Sequence, residues 1–580
     1  GLHYNTVLDL KEIQGQLFAA LNKGISNIDL FYPVSYYNKK TGLEGSVYTM
    51  KRHKGTLYCG TAKGLYYLPE YKLQNKNDKN SFAPLIANAA CWDFESRGDY
   101  LFSATYFEIV TIHNKEVVDV LKLNNPTYCL KKSNKFKDVL FIGMANGLEI
   151  VKVKQNSPKV KPELIKLGKM KKVMDPIRKI VNDDNGNLWM TTAFDGVVHV
   201  KFLNNQLDDY MVFQYDTAHG LPQLDYNYVH NINGNIYIGT QQGIYSPDSV
   251  KNRLVFKPSY DFSNYYEKNR IPVTKILKLE KDSFLITSGT EAGYLTRKNE
   301  MQWNRIPFKK IPTHYEVYPD TNNVFWFCSH KGLYRFDQNA YKKYDKKFNC
   351  LIRFVSLGKD STLFEGAFFN VGFGKDSLFS SATISQPDNL KPAIPYTKDR
   401  SVTFKYSVAY FEPYADLSYQ YKLEGFDNNW SEWTKETKKE FTNLPEGNYV
   451  FMVKAKNIYE KESTIAKFSF KVLPPWYRTA VAYIAYALIL GLIIHLAVWL
   501  NSKRLKAANA RLEEIVRERT SEVEKQKEEL EAQAEQLEKT NEELRKLSVV
   551  ASETDNAIMI MDAEGNFQWV NHGFTRLYGY

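Results

Sequence analysis

Cysteine and histidine are the residues most able to bind a metal ion or act as nucleophiles, and their spacing here favours neither role. The five cysteines are far apart, with no C-x-x-C pair and no histidine at ligand spacing: Cys59, Cys91, Cys129, Cys328 and Cys350. Their odd number argues against a disulfide scaffold, although one pair could form in an oxidising compartment. We therefore predict no metal site, and the sequence assigns no catalytic or cofactor-binding residue.

Carboxylates and aromatic side chains offer two further kinds of chemistry. Cleavage of a polysaccharide would need paired carboxylates, or a histidine and a tyrosine, that converge on one point. Acids such as Asp195 and Glu291 occur in turns, but not at one repeated position. Aromatic residues in variable turns, such as Trp92, Tyr106 and Phe194, could instead stack on sugar rings. No individual ligand-binding residue can be chosen, because most aromatic side chains in strands pack against one another.

These residues lie within a repeated pattern that must position them. A β-prone run, one or two small residues, a variable turn and then Gly with an apolar residue recur in GQLFAALNKGI, GTLYCGTAKGL, DVLFIGMANGL, GNLWMTTAFDGV, GNIYIGTQQGI, DSFLITSGTEAGY and NNVFWFCSHKGL. A degenerate copy, DYLFSATYFEI, ends at Ile109 without the glycine. Once it is counted, the anchoring glycines lie about 40 to 50 residues apart: Gly24, Gly64, Gly147, Gly196, Gly243, Gly293 and Gly332.

A period of this size, with about four strands per unit, predicts a β-propeller. Its strands are rich in residues that favour a half-buried pleated surface, and the glycine suits a turn closed to other residues. No long amphipathic helix interrupts the region, which excludes a parallel α/β sheet. We assign residues 1–340 to this propeller. Eight copies fit one ring of seven or eight blades, or the remnant of two rings in a larger array.

The repeats resemble those of two-component-regulator propellers, whose typical form is close to G-N-L-W-I-G-T-x-x-G-L. GNIYIGTQQGI and GNLWMTTAFDGV match this form nearly throughout. The segment HGLPQLDYNYVHNINGNIYIGT also carries the Gly-Leu-Pro that precedes the repeat in the family. The chain starts at Gly1 without Met or a secretory signal, so we take it as processed or cut from a longer sequence.

A compact all-β module follows, after connecting strands assigned to residues 341–393. Between residues 394 and 473, apolar and polar residues alternate at period two with turns between the runs, which predicts a small β-sandwich. YKLEGFDNNW, LPEGNYVFMVKA and PPWY resemble the three-tyrosine domain that follows such propellers in bacterial sensors. We expect Tyr421, Trp430 and Tyr449 to be core or corner residues rather than ligand contacts.

Residues 474–502 contain one predicted transmembrane helix. From Thr479 to Leu500 no side chain carries a formal charge. At about 1.5 Å per residue, a helix of this length crosses a hydrocarbon core of about 30 Å and satisfies its own backbone groups. The alternative, a buried core helix, would usually show a polar face. The types of domain place residues 1–478 in the periplasm or outside the cell and residues 501–580 in the cytoplasm, on the two sides of the inner membrane.

Residues 503–547 form a predicted coiled-coil signalling helix. No Gly or Pro interrupts them, and apolar residues recur every seven positions at Val516, Val523, Leu530, Leu537 and Leu544. The complementary seam is largely polar, so the dimer should be marginal, which suits a helix that changes its register or twist. A single solvated spacer helix is the alternative.

Residues 548–580 resemble the opening of a PAS domain. We predict a strand from Ala557 to Met561, a turn, a second strand from Phe567 to Val570, and a helix that starts at Asn571. About a third of such a domain is present, and no haem or flavin ligand can be placed.

The order of these segments resembles a bacterial membrane sensor of the two-component type. The predicted fold class is mainly β: a β-propeller, a β-sandwich, one transmembrane helix, a long coiled-coil helix and a truncated α/β PAS start. The resemblance implies a homodimer formed through the three-tyrosine domain and the coiled coil, an outer ligand that in many relatives is a carbohydrate, and a downstream response regulator. The expected output is a histidine kinase beyond Tyr580 that uses ATP and Mg²⁺, with a phosphatase or a cyclic-dinucleotide enzyme as open alternatives. None of its motifs is in this chain, and no cofactor is expected within it.

The formal net charge of +12 is unevenly distributed, since the residues before the predicted span carry +16. A basic surface could favour an acidic ligand such as a uronic-acid polysaccharide, although scattered solvated lysines are the simpler explanation. No basic helix or arginine cluster suggests direct contact with nucleic acid. Two other functions stay open: a propeller enzyme that acts on polysaccharide, and a membrane-tethered adhesion or scaffold protein.

Overall fold

The mainly β fold class predicted from the sequence is confirmed. The computed structural model describes residues 6–13, 16–69, 81–155, 157, 160–250, 253–262, 271–280, 282–297, 301–340, 342–358, 361–366, 368–371, 382–385, 391–396, 401–412, 416–519, 545–546 and 548–579. These residues form two compact units, Gly1–Leu473 and Pro474–Tyr580. We describe each unit by itself.

The first unit begins with a small antiparallel sheet of three strands in sequence order. These are β1 (Val7–Ile13), β2 (Gln16–Leu21) and β3 (Gly24–Asp29). The next strand, β4 (Val34–Tyr37), does not join this sheet.

Seven four-stranded antiparallel sheets then make up the described blades of a propeller. Blades 1 to 3 are β5 (Val47–His53), β6 (Thr56–Thr61), β7 (Gly64–Leu68) and β8 (Ala83–Ala87); β9 (Cys91–Arg97), β10 (Tyr100–Thr105), β11 (Glu108–His113) and β12 (Glu116–Lys122); and β13 (Thr127–Lys132), β14 (Val139–Met144), β15 (Gly147–Lys154) and β16 (Glu163–Lys169). Blades 4 and 5 are β17 (Ile177–Asn182), β18 (Leu188–Thr192), β19 (Val197–Phe202) and β20 (Tyr210–Tyr215); and β21 (Tyr228–Ile232), β22 (Asn235–Thr240), β23 (Gly243–Val250) and β24 (Arg253–Pro258). Blade 6 is β25 (Lys275–Lys278), β26 (Ser283–Thr287), β27 (Ala292–Arg297) and β28 (Met301–Asn304), and blade 7 is β29 (His314–Asp320), β30 (Val324–Ser329), β31 (Gly332–Asp337) and β4.

The ring closes because β4, from the beginning of the chain, is the outermost strand of blade 7. It pairs antiparallel with β31, with Val34 opposite Phe336 and Tyr37 opposite Leu333. The first strands of the blades lie innermost and contact one another around the ring, and β29 contacts β5 where the ring closes. Apolar clusters fill each space between adjacent blades, so burial of apolar surface holds the ring together.

The glycine of the repeat is required where two strands approach closely. Gly64 and Gly332 have φ angles of +157° and +135°, which other residues rarely adopt. A Cβ atom on Gly64 would lie 2.2 Å from the Ile86 carbonyl oxygen, and one on Gly332 would lie 2.3 Å from that of Tyr37. The sequence pattern therefore marks the point where the third strand of a blade begins beside the fourth.

The repeats and the blades correspond with one difference. The degenerate copy that ends at Ile109 forms β10 and the start of β11, in blade 2. The first copy, GQLFAALNKGI, lies instead in β2 and β3, outside the ring. Residues 1–340 therefore contain a seven-bladed ring together with a separate sheet, because ring closure uses β4 rather than the first repeat.

Ten further strands follow the ring: β32 (Cys350–Leu357), β33 (Ser361–Glu365), β34 (Phe368–Val371), β35 (Ala382–Ser385), β36 (Ala393–Ile394), β37 (Ser401–Val408), β38 (Ser418–Glu424), β39 (Lys438–Thr442), β40 (Gly447–Lys456) and β41 (Ala466–Val472). They form two four-stranded sheets, β33-β32-β37-β39 and β36-β41-β40-β38, and the pair β34-β35. The strands β32 and β33 fall within residues 341–393, which the sequence assigns to a connection. They belong to the sandwich, since Ile352 and Phe364 are buried in its core.

Aromatic side chains dominate the core between the two sheets of the sandwich. The rings of Phe404 and Phe451, from opposite sheets, are stacked with centroids 4.0 Å apart. The predicted corner residue Tyr449 is buried, and its hydroxyl donates to the Pro445 carbonyl oxygen at 2.9 Å. Tyr421 is half-buried against the core. Trp430 is not a core residue, because it is half-buried beneath Lys454, whose Nζ lies 5.2 Å from its ring centroid.

The second unit is dominated by one long helix, α1 (Ala480–Arg519). Its Ala480–Ala507 portion has a mean hydropathy of 2.4 and is long and apolar enough to cross a membrane. The helix continues without a break into the predicted coiled-coil segment as far as Arg519. The predicted heptad positions Val523, Leu530, Leu537 and Leu544 lie outside the described residues.

The carboxyl-terminal residues form a strand, a turn, a strand and a helix, as the sequence predicts. The strands β42 (Met559–Met561) and β43 (Phe567–Val570) pair antiparallel, and α2 (His572–Tyr578) follows. Asn571 caps α2, since its side chain accepts the Phe574 N–H. The first strand begins two residues later than predicted. Short 3₁₀ helices occur at Lys39–Thr41, Thr217–His219, Ile306–Phe308 and Trp476–Arg478.

Candidate ligand-binding site

A cavity of about 680 Å³ lies at the centre of the ring, where the seven innermost strands meet. Its volume is typical of a site for a small organic ligand. Each blade contributes to the lining, through Tyr48, Trp92, Tyr128, Arg178, Tyr228, Lys275 and Tyr315, among others. The cavity is the natural place in this fold for a bound ligand.

β-Bulges at one level of the ring present large side chains to this cavity. In five of the innermost strands the register shifts by one residue near the strand's start, and the extra residue has no partner on the neighbouring strand. The five extra residues are Tyr48, Trp92, Tyr128, Arg178 and Tyr315. A bulge redirects a side chain that would otherwise alternate between the faces of a sheet. The local backbone therefore explains why large planar groups recur at this position.

These five residues form a continuous band, which we call the aromatic belt. The rings of Tyr48 and Trp92 are stacked, with centroids 4.4 Å apart. Tyr315 lies beside Tyr48 at 5.7 Å, and Tyr128 is edge-on to Trp92 at 6.2 Å. The Arg178 guanidinium carbon lies 4.1 Å from the Tyr128 ring centroid, within the range of a cation–π contact. Each ring is thus held in place by its neighbours before any ligand binds.

The structure brings two of the three predicted aromatic residues together. Trp92 and Phe194 both line the cavity, and Phe194 is two-thirds exposed at 66%. Tyr106 lies elsewhere, packed edge-on against Phe107. The role of Trp92 and Phe194 in stacking on sugar stays a prediction.

The two acids considered as catalytic candidates do not meet in the cavity. Glu291 pairs with Arg305 at 2.9 Å, near the sandwich. Asp195 faces Asp175, and burial, followed by the nearby Asp195 carboxyl, raises the pKa of Asp175. Neither Asp195 nor Glu291 lines the central cavity. Among the residues that the structure describes, no three His, Cys, Asp or Glu side chains are grouped to hold a metal ion.

The floor of the cavity is a half-buried ion-pair group that spans the ring, which we call the floor triplet. Glu316 of blade 7 accepts from Lys179 of blade 4 at 3.5 Å and from Lys275 of blade 6. Burial alone would raise the pKa of Glu316, but the two ammonium groups outweigh it and lower that pKa to about 2. Burial lowers the pKa of Lys275, whereas Glu316 and Asp93 outweigh burial at Lys179 and raise its pKa.

A second acid in the cavity has the same arrangement. The Glu95 carboxylate lies 4.0 Å from both Lys51 and Lys131, which come from the blades on either side. Its side chain is 8% exposed. Glu95 and Glu316 thus each lie between two lysines from different blades. The sequence alone did not reveal this pattern, because the paired residues are 36 to 137 positions apart.

Asp93, beside the floor triplet, is bound mainly by backbone groups. Its carboxylate accepts the N–H of Phe94 at 2.8 Å and that of Leu130 at 2.9 Å. Burial raises the pKa of Asp93 to about 6, against the effect of these hydrogen bonds and of Lys179. This acid therefore changes charge close to neutral pH.

A second group of charges connects the ring, the amino-terminal sheet and the sandwich, and we call it the joint. Glu412, which enters the sandwich, accepts from Lys310 at 2.6 Å and from Lys342 at 2.8 Å. Lys342 also pairs with Asp29 at the end of β3, and the Tyr459 hydroxyl donates to Glu412 at 3.1 Å. The four charged side chains are at most 10% exposed.

Two further contacts strengthen the joint. Glu460 of the sandwich pairs with Lys309 at 2.8 Å and with Arg305 at 2.5 Å. The amide groups of Gln16 and Asn27, in the amino-terminal sheet, both donate to the Phe411 carbonyl oxygen, at 3.1 and 2.7 Å. Buried ion pairs break at a high cost when one partner is lost, so the joint should hold these elements in one arrangement.

Part of the sandwich matches a known domain family. Residues 411–473 match the Y_Y_Y domain. The match begins beside Glu412, so two acids of the joint, Glu412 and Glu460, lie at the start of this Y_Y_Y segment and within it. No curated protein matches the sequence.

Solved structures of similar fold include outer domains of bacterial sensors. The extracellular domain of BT3049 from B. thetaiotaomicron, described as a hybrid two component system, is 16% identical, with a TM-score of 0.41 over 82% of this chain and 74% of that chain. That of BT4673 from the same organism is 15% identical, with a TM-score of 0.40 over 82% and 64%. PorZ, a surface component of the type-IX secretion system of Porphyromonas gingivalis, is 12% identical, with a TM-score of 0.39 over 80% and 65%. The present chain spans less than two thirds of the last two structures.

Proposed function

We propose that this chain is the sensing and membrane-spanning part of a signal-transduction receptor. A ligand binds in the central cavity, and the joint transmits its effect to the Y_Y_Y segment. Because Pro474 directly follows that segment, the effect reaches α1 along the chain. The support comes from the cavity geometry, the joint, the Y_Y_Y match and the apolar helix.

One observation carries this proposal: a single short segment contributes to both the cavity and the joint. Arg305, Lys309 and Lys310 bind the acids of the sandwich, and Tyr315 and Glu316 line the cavity. The residues between them are anchored, since Ile311 and His314 are buried and the His314 N–H donates to the Gly289 carbonyl oxygen at 2.7 Å. A ligand that displaces the belt or the floor triplet must therefore disturb the joint.

The ligand class that best suits the belt is a carbohydrate. Planar aromatic faces accept the apolar faces of sugar rings, and a belt held by its own ring contacts loses little side-chain entropy on binding. A ligand biases a receptor only when it binds one of its states better than the other. We expect such a ligand to stabilise a second arrangement of the joint, different from the one seen here.

The remaining parts of the proposal follow the order of segments. We place residues 1–478 outside the cell or in the periplasm, α1 across the inner membrane, and residues 501–580 in the cytoplasm. Two copies would associate through the Y_Y_Y segments and a coiled coil that continues α1. The segment at residues 548–580 would open a PAS domain, and the output would be a histidine kinase that uses ATP and Mg²⁺ and acts on a response regulator.

The test uses the 580-residue chain in lipid nanodiscs with a Ser502→Cys substitution. The native cysteines are buried, so disulfide formation between two copies reports on residue 502, which is exposed on α1. Sugars from a panel of neutral and acidic oligosaccharides are first screened for binding by calorimetry. We expect a binding sugar to change the rate of disulfide formation, Trp92→Ala to abolish binding, and Glu412→Gln to preserve binding while it removes the response. A bound sugar that never changes the rate would contradict the proposal.

A further inference from the structure

The lining of the central cavity contains more positive than negative groups. The described lining residues include five basic side chains and four acidic ones: Lys51, Lys131, Arg178, Lys179 and Lys275, against Asp93, Glu95, Asp225 and Glu316. Glu95 and Glu316 are each shared between two lysines. Asp225 is exposed to solvent at the edge, and both oxygens of Asp93 already accept backbone N–H groups.

The floor triplet is the place where this excess is most costly. Lys179 and Lys275 share the carboxylate of Glu316, and Asp93, whose charge also acts on Lys179, is bound to backbone N–H groups. The two lysine side chains are 30% and 19% exposed. An ammonium group has three donors, so two such groups beside one carboxylate keep donors free for another acceptor. Charges removed from water require a counter-charge or a large loss of solvation energy. An anionic group on the ligand would supply that counter-charge.

We infer that the central cavity binds an acidic sugar, with its carboxylate or sulfate on Lys179 and Lys275 and its ring against the aromatic belt. This inference rests on the proposed function and names the ligand class of the same site. The sugar ring stacks on the belt, and the acidic group relieves the charge excess of the cavity lining. A neutral sugar can stack on the belt in the same way but gives Lys179 and Lys275 no counter-charge.

The experiment compares acidic sugars with their neutral counterparts on the full chain in nanodiscs. The probes are glucuronate and galacturonate oligosaccharides with their carboxyl-reduced forms, and sulfated disaccharides with their desulfated forms. Calorimetry gives each Kd at two salt concentrations. Because charge-assisted hydrogen bonds are stronger than neutral ones, we expect at least one acidic sugar to bind about tenfold more tightly than its neutral form. That advantage should shrink at high salt.

Three substitutions then locate the effect. Lys179→Met and Lys275→Met should each reduce the acidic preference to about twofold or less while binding of the neutral form is retained. Glu316→Gln removes the competing carboxylate, so it should increase the preference. Lys166→Met, at an exposed position on β16, is the matched control and should change nothing. The acidic preference should fall in Lys179→Met and rise in Glu316→Gln, whereas a general loss of folding would weaken binding in both variants.

The outcomes separate this inference from the proposed function. If every neutral sugar binds as tightly as its acidic form, and Trp92→Ala abolishes both, the ligand-binding cavity stands and the acidic ligand class is wrong. If an acidic preference survives both lysine substitutions, the floor triplet is not its origin and the inference also fails. If no sugar of either class binds, both the inference and the carbohydrate-sensing function are contradicted.

Discussion

Lys310 and Tyr315 are five residues apart and serve two different sites of one compact unit. Lys310 Nζ lies 2.6 Å from a Glu412 carboxylate oxygen, at the entrance to the sandwich. The Tyr315 ring lies 5.7 Å from that of Tyr48, in the belt of the central cavity. A short anchored segment is a better transmitter of displacement than a flexible loop, since fewer backbone torsions can absorb the motion.

The joint should contribute strongly to stability through Glu412. Its carboxylate neutralises Lys310 and Lys342, and these ammonium groups outweigh burial and hold its pKa below the ordinary value. We expect Glu412→Gln to lower the free energy of unfolding by about 3 kcal/mol, because two buried cations lose a partner. Urea unfolding followed by tryptophan fluorescence measures it. The exposed Glu424→Gln in the same module is the control, and equal effects of the two substitutions would show that the joint is energetically unimportant.

The aromatic belt should be required for ligand affinity and not for folding. We expect Trp92→Ala to abolish detectable sugar binding, a loss of about tenfold or more in affinity, because it removes the central ring of the belt. Tyr106→Ala is the control, since Tyr106 is another aromatic residue of blade 2 but lies outside the cavity. Calorimetry of both variants with the same sugar is the measurement. Similar affinities for the two variants would place the ligand elsewhere.

The periodic part of the fold was predictable because its causes are local. Most blades repeat one strand pattern and one glycine, and the steric need for glycine at Gly64 and Gly332 recurs at Gly147 and Gly196, where other third strands begin. The tyrosine corner at Tyr449 was predictable for the same reason, as its partner Pro445 is four residues away. Period-two patterns likewise identified most strands of the sandwich.

The parts that depend on distant pairing were not predictable. Ring closure by β4 requires that residues 34–37 meet β31, which lies about 300 positions later in the chain. The floor triplet and the joint connect residues of different blades and modules, and a lysine in a strand looks alike whether it faces solvent or Glu316. The bulges were also hidden, because an extra residue in a strand leaves no composition signal at Tyr48 or Arg178.

Asp93 should make stability depend on pH between about pH 4 and 6. Its pKa rises from an ordinary value of 3.8 to about 6 on folding, so in this range the folded chain binds more protons than the unfolded chain. The contribution of Asp93 to stability is therefore greatest below pH 4 and falls as the pH rises through 6. We expect Asp93→Asn to remove this dependence of stability on pH. The substitution can also change stability by an amount that does not vary with pH. Melting temperatures of both proteins across this range provide the measurement, and parallel curves would contradict the assignment.

The tyrosine corner should stabilise the sandwich through one hydrogen bond. Tyr449→Phe removes the hydroxyl that donates to the Pro445 carbonyl oxygen at 2.9 Å and keeps the ring stacked on Phe470. We expect a loss of about 1 kcal/mol in the free energy of unfolding. Tyr421→Phe, in the same core but half-buried, is the comparison and should cost less. A greater loss for Tyr421→Phe would mean that the corner bond is not the important one.

The stiffness of the segment between the joint and the cavity should decide whether a bound ligand is sensed. Pro312 fixes one backbone torsion in this segment, and its carbonyl oxygen lies 3.1 Å from His314 Nδ1. Pro312→Gly gives the segment more freedom without altering any residue of the belt or the floor triplet. We therefore expect unchanged sugar affinity but a weaker change in disulfide formation at Ser502→Cys. Pro247→Gly, in the outer part of blade 5, is the control and should preserve both. A full response in the Pro312→Gly variant would show that the signal leaves the cavity by another route.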